Sequence, residues 1–124
     1  MATYSKIAFQ ATTMTTGTGR MVKVAATGTA GTTIHTAANV ATTVDEIWLY
    51  AQNNHTADVL LTVEFGGVSS PDDLIQVTVP FKEGLFLVVA GMVLQGNATP
   101  VVVRAFAATA NVISIGGYVN RITA

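Results

Sequence analysis

The hydrophobic residues of this chain recur with a period of two, and turn residues cut the pattern at short intervals. Val59, Leu61, Val63 and Phe65 fall on one side of an extended segment, with Leu60, Thr62 and Glu64 on the other. Ile47, Leu49 and Ala51 alternate with Trp48 and Tyr50. Val101, Val103, Ala105 and Ala107 alternate with Val102, Arg104 and Phe106. Successive side chains point to opposite sides on a pleated strand, so this spacing predicts strands. Threonine and valine, both abundant here, are β-branched and favour a pleated surface over a helix. No helical stripe emerges, and the alanine-rich piece 36–43 reads as loop or strand.

Glycine, asparagine and proline place the turns, the first two because they tolerate positive φ. Gly17-Thr18-Gly19 separates a strand near residues 6–11 from one near 21–26, and Gly28 and Gly31 precede a third at 32–36. Asn53-Asn54-His55, residues 66–72, Lys82-Glu83-Gly84, Gln95-Gly96-Asn97 and Asn111 mark later connections, and Pro80 ends the strand before it. Leu85 to Leu94 reads as strand, turn, strand, with the turn at Gly91. About nine or ten short strands, with a turn signal roughly every 8–12 residues, predict an all-β protein: an antiparallel β-sandwich or a jelly-roll-like barrel. A chain of 124 residues has room for one such domain. Residues 32–124 are expected to form the body. Residues 1–31 contain long stretches of Thr, Gly, Ala and Met that cannot build a core alone, and they are expected as an N-terminal arm or an edge hairpin.

Charge is scarce. Half of the residues are hydrophobic and 10% are charged, with a net charge of -1, where an ordinary soluble domain is about a quarter charged. Such a surface is expected to be covered in use by partner subunits. Lys6, Arg20, Lys23, Lys82, Arg104 and Arg121 are scattered singly, so neither nucleic acid nor a membrane surface is an expected partner. The run from Leu85 to Leu94 falls well short of the ~20 apolar residues of a spanning helix. The opening Met-Ala-Thr-Tyr-Ser-Lys-Ile lacks the charged and apolar regions of a secretory signal.

The residue types that carry chemistry do not form a recognisable set. The absence of cysteine removes thiolate catalysis, disulfides and cysteine-based metal centres. His35 and His55 lack partners at metal-ligand spacing; His35 reads as a strand residue with a hydrogen-bond partner and His55 as a loop residue. Asp45 and Glu46 are neighbours on a strand and point to opposite faces, so they are not an aligned acid–base pair. Asp72-Asp73 follow Pro71 as turn chemistry. No serine sits in a nucleophile elbow, and Gly17-Thr18-Gly19-Arg20 lacks the ending and helix of a phosphate loop. Asn54-His55-Thr56 and Asn97-Ala98-Thr99 match the glycosylation acceptor pattern by chance. Trp48 and Tyr50 share one side of their strand, which suits a sugar-stacking platform or, more simply, a core or subunit contact. No catalytic residue, metal, cofactor or small-molecule substrate is expected.

Several stretches taken together are similar to a known class. They are Thr33-Ile34-His35-Thr36, Thr43-Val44-Asp45-Glu46-Ile47-Trp48-Leu49-Tyr50-Ala51-Gln52-Asn53, Leu60-Leu61-Thr62-Val63-Glu64-Phe65-Gly66-Gly67 and Asn111-Val112-Ile113-Ser114-Ile115-Gly116-Gly117-Tyr118-Val119-Asn120-Arg121-Ile122. In texture and strand order they resemble the capsid decoration, or cement, proteins of tailed bacteriophages, from about Thr32 onward. The resemblance implies a non-enzymatic virion protein, made in the host cytoplasm, that sits on the capsid surface as a homotrimer. It would tie major capsid protein subunits together. Interface candidates are then Lys6, Phe9, Met14, Arg20 and Met21 in the arm, Asn53, Asn54 and His55 in one turn, and Asp72 in another. A tail, collar or baseplate component is the nearest alternative. A carbohydrate-binding attachment module is another, and it requires Trp48 and Tyr50 to be exposed.

Overall fold

A computed structural model of the chain describes residues 2–11 and 17–124, which contain nine strands and no helix. The strands are β1 (Thr3–Ile7), β2 (Val22–Lys23), β3 (Thr32–Thr36), β4 (Thr43–Asn53), β5 (Val59–Phe65), β6 (Leu74–Val79), β7 (Phe86–Gln95), β8 (Val102–Ala107) and β9 (Ile113–Thr123). They form two antiparallel sheets, as the alternation predicts. The first has the order β1-β9-β4-β7, with β2 also on β9; the second has the order β3-β8-β5-β6.

The pairings nest. β2 pairs with β9, β3 with β8, β4 with β7 and β5 with β6. These pairs fall alternately in the first and second sheets, and β4–β9 and β5–β8 contacts complete each sheet. This is the strand order of a jelly roll. The barrel alternative does not occur: β1 and β7 end the first sheet on opposite flanks and never meet, so the molecule is an open sandwich.

β4 is the spine. It pairs with β9 along all eleven of its residues and alternates strictly between buried and half-buried positions. Its inward Ile47, Leu49 and Ala51 meet Ile113, Ile115 and Val119 of β9 and Val89 and Leu94 of β7; the second sheet supplies Leu61, Val63, Val103 and Ala105. Every one of these side chains is buried. Truncating one such leucine or isoleucine to alanine typically costs about 2–5 kcal/mol.

Two local readings need correction. Leu85 to Leu94 is not strand, turn, strand. Gly91 is the extra residue of a β-bulge within β7, since Ile47 pairs with Met92 while Trp48 pairs with Ala90. Its φ of 79° suits glycine, and a Cβ there would lie 3.1 Å from Trp48 Cζ2. A second bulge at Val88 separates the Leu49–Val89 and Tyr50–Leu87 pairs. The first two strands are also shorter and displaced: Thr3–Ile7 rather than 6–11, and Val22–Lys23 rather than 21–26. They lie end to end along β9 rather than pairing with each other. Beyond β2 the chain drops Val24 into the core and crosses to the second sheet, where Ala26 accepts a hydrogen bond from the Ala107 amide at 3.1 Å.

Candidate functional site

Three charged or polar residues meet inside the sandwich. Asp45 continues the inward row of β4, so its carboxylate is carried into the interior with Ile47 and Leu49 and is fully buried. A buried carboxylate needs partners. Arg121 of β9 grips it with two bonds, Nε to Oδ1 at 2.8 Å and Nη2 to Oδ2 at 2.9 Å. His35 of β3 reaches across from the second sheet, Nε2 to Oδ2 at 2.7 Å. The His35 Nδ1 accepts the Gln10 amide at 3.0 Å, which assigns the proton to Nε2. Burial pushes the Asp45 carboxyl up, but the bonds from Arg121 and His35, with the charge of Arg121, outweigh it and hold the group below the usual carboxylate range. The same bond with Asp45 raises Arg121 further.

Both His35 nitrogens are engaged and the ring is fully buried. It has no free face for a substrate proton. The cluster instead joins β3, β4 and β9 to the segment after β1. Thr36 reinforces the tie: its amide donates to Gln10 O at 2.6 Å and its Oγ1 to Ala11 O at 2.7 Å. Glu64 makes a second tie. It faces away from the core, yet it is buried beneath the crossing segment, accepting Thr29 Oγ1 and the Gly31 amide, each at 2.7 Å.

On the outer face of the first sheet, Glu46 Oε1 accepts Trp48 Nε1 at 2.7 Å and Asn120 Nδ2 at 2.8 Å. Those bonds, Trp48 first, hold its carboxyl below the usual range. The Trp48 ring stacks on Tyr118 with centroids 6.1 Å apart and planes 12° apart. Lys6 Nζ lies over the Tyr118 ring, 4.7 Å from its centroid. The row Lys6, Tyr118, Trp48, Gly91 thus uses ring faces on neighbours within the sheet. Trp48 and Tyr50 are both half-buried.

The expected interface residues fall into separate groups. Met14 lies outside the described residues. Lys6 and Arg20 are exposed, Met21 is exposed, and half-buried Phe9 tilts against His35 with centroids 6.0 Å apart. Phe9, Arg20 and Met21 line a cavity of about 410 Å³ with Ile34 and Gly117. Asn53 is a correction: it is fully buried. Its Nδ2 donates to Ala57 O at 3.0 Å and Val79 O at 2.9 Å, and its Oδ1 accepts the His55 amide at 2.8 Å. It shapes the turn. Asn54 is exposed and His55 half-buried beside it, while exposed Asp72 lies beyond the other end of β5. Those two turns are at opposite ends of the sandwich. Among the described residues, no group of three or more His, Cys, Asp or Glu could hold a metal ion.

The surface that stands out is one the alternation does not reveal. β7 is an edge strand of ten residues. Leu87 and Met92 are each 45% exposed, Val93 59%, and Leu85 just before the strand 64%. No charged residue occurs between Glu83 and Arg104. Proteins usually blunt a long apolar edge with charge or proline because its free main-chain groups recruit other strands; β7 has neither.

Known protein families, curated proteins and solved structures give no match to this chain.

Proposed function

We propose that the protein is a non-enzymatic structural subunit of a phage particle, decorating and stabilising the head by bridging major capsid protein subunits. The observation that carries this reading is the exposed, uncharged β7 edge on a jelly-roll sandwich whose buried polar groups are spent on holding its own strands. A surface of this kind suits a protein covered by neighbours in a multi-copy shell, where many modest contacts sum. A jelly roll serves this purpose in other capsid domains, which is an analogy of fold. In this reading the capsid surface is the site of action, the shell protein and further copies of this chain are the partners, and a homotrimer is one closed form of self-association.

The test is the copy number of this protein in purified particles, by quantitative mass spectrometry against the major shell protein. Hundreds of copies in simple proportion to the shell are expected. A few dozen or fewer would move the protein to the tail, collar or baseplate. Absence from particles would end the virion reading.

A further inference from the structure

We propose that β7 is a self-pairing edge. Two copies of this chain join antiparallel through their β7 strands about a two-fold axis near Ala90, so that the first sheet of one copy continues into that of the next. The inference rests on reading the chain as an assembly subunit, and it names a second copy as the first partner.

Length selects the occupant. Among the described residues, β7 offers ten edge residues, with bulges at Val88 and Gly91, whereas β3 has five and β6 has six. The opposite edge of the first sheet is split into five-residue β1 and two-residue β2. The only edge among these that matches β7 along its length is another β7. At ~3.4 Å per residue such a pairing runs roughly 34 Å, with main-chain bonds to satisfy the outward amides and carbonyls.

Charge agrees. A two-fold contact sets a strand against its own sequence, so any charge on it meets a like charge nearby. The stretch between Glu83 and Arg104 carries none. Leu87, Ala90 and Val93 stand on the outer side of β7, opposite Tyr50, Trp48 and Glu46 of β4. An axis near Ala90 brings Leu87 of each copy against Val93 of the other, apolar on apolar. The bulges at Val88 and Gly91 add twist, which turns away a straight strand; a second β7 has the same bend. The contact is two-fold and so departs from the trimer that the resemblance implies.

The chain has no cysteine, so Ala90→Cys places one thiol per copy at the proposed axis. Antiparallel neighbours there are within disulfide reach. The expected results are a dimer in sedimentation equilibrium of the unaltered protein and rapid disulfide-linked dimers of Ala90→Cys on oxidation. The control Leu60→Cys, exposed on the second sheet, is expected to cross-link slowly. Leu87→Lys with Val93→Lys is expected to weaken the dimer at least about 100-fold while the thermal melt of the monomer holds. A monomer at every concentration, a trimer, or equal cross-linking of Ala90→Cys and Leu60→Cys would overturn the inference. Dimers from a protein absent from particles would sink the proposed function and leave the self-pairing edge standing; particle occupancy without dimers would do the reverse.

Discussion

At the β1/β2 edge of the first sheet the chain closes its own flank, and at the β7 edge it does not. The closed side is polar and short-stranded: Lys6 covers Tyr118, and Gln10 is bonded to His35, which reaches Asp45 and through it Arg121. The open side is continuous, apolar and uncharged. One sheet therefore separates two tasks. Charge and buried polar bonds are concentrated where the fold must hold its own first residues. They are withheld where a neighbour would otherwise have to desolvate them.

The largest expected effect comes from breaking the closed side. Asp45→Ala removes the group that pairs Arg121 and orients His35, and loss of one member of a buried pair costs about 3–5 kcal/mol; urea denaturation measures it. Gly91→Ala attacks the open side from within. Its φ of 79° and the 3.1 Å approach to Trp48 predict a loss of about 1–3 kcal/mol in the same measurement. Acid tests the closed side without mutation. The Asp45 pKa is depressed on folding, so the folded state binds fewer protons than the unfolded chain as pH falls. The contribution is fully present above the ordinary aspartate range near 3.9 and is lost as pH drops through the depressed folded value. Denaturation curves from pH 6 downward are expected to show this loss, and Asp45→Asn to lack it. The smallest effect on stability is expected from Leu87→Lys, within about 0.5 kcal/mol because the site is half-exposed and away from any polar cluster. Its effect belongs to association.

Which parts of this were legible in the sequence follows from what alternation can report. Strand periodicity is local, and the inward row Ile47, Leu49, Ala51 emerges from it directly. The same parity extends to Asp45 and Asn53 and marks both as inward-facing. Reading Asn53 as an exposed turn residue follows its residue type and passes over its position. Edge status is not local. β4 and β7 are both long, and only the nested pairing puts one in the centre and the other on the flank. A glycine within an apolar run is equally silent on whether it turns the chain or bulges it, as Gly91 shows. The burial of Glu64 is not legible either, because it depends on a crossing segment that begins some thirty residues earlier in a Thr- and Gly-rich stretch.

Amide hydrogen exchange, followed segment by segment at low and high protein concentration, tests most directly whether β7 is the edge kept for partners. Amides of β7 that do not face β4 are expected to exchange fast in dilute protein and to gain protection as concentration rises, while β1 and β2 stay unchanged. Protection that grows at the β1/β2 edge instead, or β7 amides that exchange at one rate across the whole concentration range, would contradict the account.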